Sequence, residues 1–142
     1  SINYASDWNM VGLALLSDDA SYMTIFPEAV EGTLYSFQSG YIQDNELISG
    51  TGYWIRLANA SSITFTGEEI NTLTISLSPG WNLITGFTQE IAFGSIYDPQ
   101  ELIVSGTVYG FDESYVQVST LAPGRGYWLR SSGNGEIFLS GD

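Results

Sequence analysis

The chain has 142 residues, 44% of them apolar and 14% aromatic, enough for a buried core and too hydrophobic for disorder. Sixteen acids stand against three arginines, Arg56, Arg125 and Arg130, with no lysine, histidine or cysteine, for a net charge of −13. That balance disfavours nucleic acid and anionic membrane surfaces as partners, and it excludes the Ser-His-Asp triad, the Schiff-base lysine and the ordinary zinc site.

No P-loop or dinucleotide-type glycine spacing is present, and no Asp-Thr-Gly or Asp-Ser-Gly signature of an aspartic protease. Chemistry by paired carboxylates alone, as in a glycosidase, is what remains, and the expectation is no enzyme. No apolar run approaches the roughly 20 residues of a membrane helix, so no membrane insertion is expected. Sixteen glycines, abundant serine and threonine and the missing lysine fit an extracellular or cell-surface β protein.

Alternation and turn residues predict a first strand over residues 2–16, broken near Ser6-Asp7. Asp18-Asp19-Ala20-Ser21 opens a one-turn helical or irregular segment closed by Pro27. A strand follows over residues 33–38, with Thr33, Tyr35 and Phe37 on one face. Ser39-Gly40 turns it into Tyr41-Ile42-Gln43 as a hairpin. In the strand over residues 52–57, period two puts Tyr53, Ile55 and Leu57 on one face and Trp54 with Arg56 on the other. A closing strand over 63–66 and a short polar link over 68–72 complete the first half.

The second half repeats the first. Gly50-Thr-Gly-Tyr-Trp-Ile-Arg56 returns as Gly124-Arg-Gly-Tyr-Trp-Leu-Arg130, an offset of 74 residues that also carries Tyr35 to Tyr109, Phe37 to Phe111 and Tyr41 to Tyr115. Nearer the start, Trp8-Asn9 returns as Trp81-Asn82 at an offset of 73, with Ile2 and Tyr4 falling on Ile75 and Leu77. Repeat one spans residues 1–68 and repeat two 74–142, about five strands each, and a short link between them implies that they pack together. The expected fold is all-β: one antiparallel, pseudo-twofold sandwich or barrel. The termini fall at equivalent points of the repeat, which fits either a segment of a longer array or a complete two-copy protein.

Gly80-Trp81-Asn82-Leu83-Ile84, Val108-Tyr109-Gly110-Phe111 and Pro123-Gly124-Arg125-Gly126-Tyr127-Trp128 together resemble a repeat of large secreted bacterial and archaeal proteins. That repeat opens on Gly-Trp-Asn-Leu-Ile and closes on Pro-Gly-x-Gly-Tyr-Trp. The resemblance covers nearly the whole chain, with departures at Asp7 for the opening glycine and Ser49 for the proline. It implies a module set beside secreted enzymes, adhesins or anchoring segments, and it carries over no catalytic residue.

Trp54/Arg56 and Trp128/Arg130 read as structural pairs, guanidinium on indole, with Glu68 and Asp142 as carboxylate partners. A pocket for an acidic or sugar group is the alternative. Trp8 and Trp81 read as core or rim, their asparagines satisfying backbone groups at a bend. Tyr41 and Tyr115, with Asp112 and Glu113 in the adjoining turn, are the ligand-binding candidates, against a packing role. Asp18-Asp19, Glu68-Glu69 and Asp112-Glu113 carry oxygens of the kind calcium takes, but with no EF-hand spacing; a solvated acidic surface is favoured, and no cofactor is expected. The functional expectation is a non-catalytic extracellular module for adhesion, anchoring or attachment to a glycan or partner protein. The alternative is a self-associating subunit of a fibre or surface layer.

Overall fold

The computed structural model describes residues 1–141. It is all-β, 48% strand and 5% helix, and its ladders are antiparallel. No described helix is long and apolar enough to cross a membrane.

Alternation sets the strands. In β6 (Tyr53–Leu57), Tyr53, Ile55 and Leu57 are buried while Trp54 and Arg56 point the other way. Each such side chain, removed from water, contributes about 1.5–3 kcal/mol. Strand β6 sits between β2 (Asp7–Val11) and β4 (Tyr35–Phe37), with β5 (Tyr41–Gln43) on the edge: order β2-β6-β4-β5. In the second half, β10 (Gly80–Thr85), β15 (Gly126–Ser131), β12 (Tyr109–Asp112) and β13 (Ser114–Gln117) stand in the order β10-β15-β12-β13. Neither four-stranded sheet closes into a barrel, which removes that alternative.

The registers agree at the sequence offset. Met10 faces Trp54 and Leu83 faces Trp128; Tyr35 faces Trp54 and Tyr109 faces Trp128. Two-stranded ribbons follow the same rule. β1 (Ile2–Tyr4) pairs with β7 (Ser61–Ile63), aligning Ile2 with Ile63, and β9 (Thr72–Leu77) pairs with β16 (Gly135–Ser140), aligning Ile75 with Ile137.

Outside the sheets the halves differ. The first has one helical turn, α1 (Tyr22–Ile25), where the Asp19 carboxylate accepts from the Ser21 N–H and the Thr24 hydroxyl. The second has β11 (Ile91–Ala92), a 3₁₀ turn over Phe93–Ser95, and β14 (Thr120–Leu121) pairing with β11. The strand expected over residues 2–16 splits into β1, β2 and β3 (Leu15–Leu16), and such splitting yields more, shorter strands than anticipated. The expected polar link is itself paired: Glu68–Glu69 form β8 against Leu15–Leu16.

Three apolar clusters form. One lies wholly in the first half, around Val11, Phe26, Leu34, Ile55 and Leu57; one in the second, around Ile84, Phe87, Leu121, Leu129 and Ile137. The third joins the halves and is smaller: Met10, Leu83 and Trp128, with Phe37, Trp54, Tyr109 and Phe111 against it. Each half buries its aliphatic face alone, and the opposite, aromatic faces meet in the shared third cluster.

The Gly-x-Gly of the repeated motif has a reason at each end. Gly50 and Gly124 take the left-handed conformation, with φ of 85° and 78°. At Gly52 a Cβ would lie 2.5 Å from the Ile84 carbonyl oxygen, and at Gly126 3.0 Å from that of Val11. Here the chain of one half passes against the chain of the other.

Candidate functional site

Where the aromatic faces meet, they leave two open clefts. Strand β2 supplies Trp8, β6 Trp54, β4 Tyr35 and β5 Tyr41; Phe111, from the other half, closes a cleft of about 430 Å³. Trp81, Trp128, Tyr109 and Tyr115 with Phe37 line the second, of about 360 Å³. Every lining residue of one has its counterpart in the other at the sequence offset. Each cleft draws one phenylalanine from the opposite half.

The rings form corners rather than stacks. Trp8 meets Trp54 edge to face at 6.4 Å and 85°, and Trp81 meets Trp128 at 6.5 Å and 82°. Phe37 lies 5.0 Å from Trp128 and Phe111 5.0 Å from Trp54, so the two inserted phenylalanines tie the clefts to a common floor. Such T-shaped pairs add about 0.5–1.5 kcal/mol each beyond area burial. Ring faces remain in solvent: Tyr41 is 58% exposed, Tyr115 54%, Trp8 39% and Trp81 43%.

A polar groove adjoins each cleft. Beside the first, sharing Trp8 and Phe111, are Asp7, Asn9, Asp112, Glu113 and Arg125. Beside the second, sharing Trp81 and Phe37, the corresponding positions hold no carboxylate: Gly80 for Asp7, Gln38 and Ser39 for Asp112 and Glu113, Thr51 for Arg125. Ser39 and Glu113 sit in the two hairpin turns with left-handed φ of 57° and 63°. The Asn9 amide donates to the carbonyls of Ala5 and Asp7, and Asn82 to those of Ser78 and Gly80, so both asparagines satisfy backbone at the bend as anticipated.

Tyr41 and Tyr115 therefore stand at the clefts, one in each, while Asp112 and Glu113 gather at one groove only. Of the core or rim positions expected for Trp8 and Trp81, the structure shows the rim, with ring faces open to solvent. Alternation already placed Trp8 on the Met10 face of its strand; the pairing with β6 was needed to bring it to Trp54.

The arginine assignments change. Arg56 bonds Asp7, its Nε 2.8 Å from the carboxylate, and not Glu68, whose backbone is committed to β8 at Leu16. Both partners are more than half exposed, at 53% and 65%, so the ion pair contributes little. Asp142, the other carboxylate expected, lies outside the described residues. No arginine covers a tryptophan among the described residues; the indoles turn toward the phenylalanines of the opposite half instead. The stacked arginine is Arg125, its guanidinium 4.7 Å from the Tyr4 ring centre and bonded to the Asn3 carbonyl.

Three buried tyrosines brace the loops behind the clefts. Tyr53 and Tyr127 accept from the N–H groups of Ile48 and Ala122, and Tyr4 donates to the Gly124 carbonyl. Burial pushes all three hydroxyls above the usual tyrosine range; for Tyr4 the Arg125 charge opposes part of that rise. Among the described residues no group of three or more acids stands together as a metal site, and Asp18-Asp19, Glu68-Glu69 and Asp112-Glu113 remain separate pairs. No family model matches the chain, and no curated protein or solved structure matches it significantly.

Proposed function

We propose that the protein is a non-catalytic attachment module of the cell exterior that holds glycans in its two aromatic clefts. One observation carries this: two equivalent, open, five-ring clefts with tyrosine and tryptophan faces turned to solvent. Sugar rings stack on such faces, and the carboxylates and hydroxyls of the adjoining grooves suit their hydroxyl groups. The secreted-protein repeat that the sequence resembles points to the same setting.

The reading includes an architecture: one domain of two repeats, packed as a sandwich about a pseudo-twofold axis. Reciprocal contacts support it. Val11 bridges Arg125 as Ile84 bridges Thr51, and the N–H of Gly12 donates to Gly124 as that of Thr85 donates to Gly50. Two weak sites on one body gain by avidity on a polymer. The test is a pull-down on insoluble polysaccharides and a glycan array, with Trp8→Ala and Trp81→Ala. Each single variant should lose most of the retention and the double variant all of it, with folding checked by circular dichroism. Retention unchanged in the double variant would refute the site.

A second reading, a fibre or surface-layer subunit, draws on the sheet edges. Strands β5 and β13 are exposed along their whole length and carry Ile42 and Val116 into solvent. Concentration-dependent filaments or sheets by electron microscopy, with no glycan retained, would favour it over attachment.

A further inference from the structure

The two clefts share their rings and differ in their charge, and we infer from this difference that they take different saccharides: the Trp8 cleft an amino sugar carrying a cation, the Trp81 cleft a neutral sugar. The inference rests on the glycan reading and specifies its ligand. Both clefts offer an indole corner and a tyrosine, which serve neutral and cationic rings alike, because a cation is also drawn to an aromatic face. The neighbouring groups decide. At the Trp8 cleft, Asp112 and Glu113 stand just across the shared Phe111 wall. Neither side chain has an ion-pair or hydrogen-bond partner among the described residues. Asp7 is compensated by Arg56. Arg125, the other charge in that groove, is held over Tyr4 and against the Asn3 carbonyl. Two exposed carboxylates thus remain for a bound ammonium. At the Trp81 cleft the same places hold Gln38 and Ser39, which bond hydroxyls and offer no charge.

A primary ammonium suits the first site better than a quaternary one, since its hydrogens have carboxylate oxygens to meet. Net charge alone does not explain the choice, because −13 is spread over the whole molecule and attracts cations to both clefts equally.

The test uses calorimetric titration of the full chain with a glucosamine trisaccharide and with a neutral glucose trisaccharide of the same linkage. Trp81→Ala isolates the Trp8 cleft and Trp8→Ala the Trp81 cleft. The Trp81→Ala protein should prefer the glucosamine ligand about three- to ten-fold at low salt, as two exposed charge pairs allow. That preference should vanish in about 1 M sodium chloride and on adding Asp112→Asn and Glu113→Gln, with affinity for the neutral ligand kept. The Trp8→Ala protein should show no preference. Asp18→Asn with Glu69→Gln removes the same charge elsewhere and should leave the preference intact. Equal preference at both clefts, or a preference that survives Asp112→Asn/Glu113→Gln, would overturn the inference while neutral-sugar binding upheld attachment. Failure of every trisaccharide to bind would overturn both.

Discussion

The Trp8 and Trp81 clefts are the same aromatic device with different rims, and the contrast separates two kinds of constraint. Wherever a side chain meets the opposite half, the two clefts agree: Phe37 on Trp128 matches Phe111 on Trp54, at the same 5.0 Å. At the polar rims they diverge, Asp112-Glu113 against Gln38-Ser39. Packing at native density leaves little freedom inside, while a solvated rim tolerates change and so can acquire selectivity.

One position breaks the agreement from within. Gly12 and Thr85 correspond at the offset of 73, yet they touch: a Cβ on Gly12 would lie 2.1 Å from the Thr85 hydroxyl and 2.3 Å from its Cβ. At the proposed axis there is room for one side chain, and Thr85 has it, donating to the Arg125 carbonyl at 2.7 Å. The largest expected effect follows. Gly12→Ala should cost about 3 kcal/mol, the upper part of the range for overpacking. Thr85→Gly should cost about 1–2 kcal/mol for the lost bond and added flexibility. The double variant Gly12→Ala/Thr85→Gly should be more stable than Gly12→Ala alone. Denaturant titration decides, and simple addition of the two losses would break the axis argument.

Arg125 and Arg130 sharpen the comparison next. Arg125 is stacked and hydrogen-bonded; Arg130 is exposed. Arg125→Ala should destabilise by about 1–2 kcal/mol, Arg130→Ala by about 0.5 kcal/mol or less. The reverse order in urea would show that the Tyr4 stack is not what holds this corner.

Tyr4 has Leu77 as its counterpart, so only the first half gains an alkali-sensitive strut there. Burial raises its hydroxyl above the usual tyrosine range, as it does those of Tyr53 and Tyr127. Below pH 10 both folded and unfolded chains keep these protons and stability is indifferent to them. Above it the unfolded chain releases protons that the folded chain retains, so stability falls as pH rises. Tyr4→Phe should cost about 1 kcal/mol at neutral pH and lessen the decline between about pH 10 and 11.5. An identical decline in wild type and variant would remove Tyr4 from the titration.

The smallest effect belongs to Asp7, which holds a left-handed φ of 74° where Gly80 holds 92°. Asp7→Gly relieves that conformation and forfeits an exposed ion pair, two terms of about 1 kcal/mol or less and opposite sign. Its melting temperature should stay within about 3 °C of wild type. A larger fall would mean that Asp7 holds more than Arg56.

Much of the architecture was legible in the residues themselves. Period two in Tyr53-Trp54-Ile55-Arg56-Leu57 separates the buried face from the aromatic one, and alternation with turn residues along the chain places it among β proteins. The offset equates Tyr41 with Tyr115 and Trp8 with Trp81 before any coordinate is known. Alternation reports which side of a strand a residue occupies, because that depends on the local backbone alone. It does not report what lies opposite. That Phe111 closes the Trp8 cleft, that Arg56 reaches Asp7 rather than Glu68, and that Arg125 covers Tyr4 are contacts between residues 49 to 121 positions apart. They depend on register and on how one sheet meets the other, and only the tertiary structure decides them.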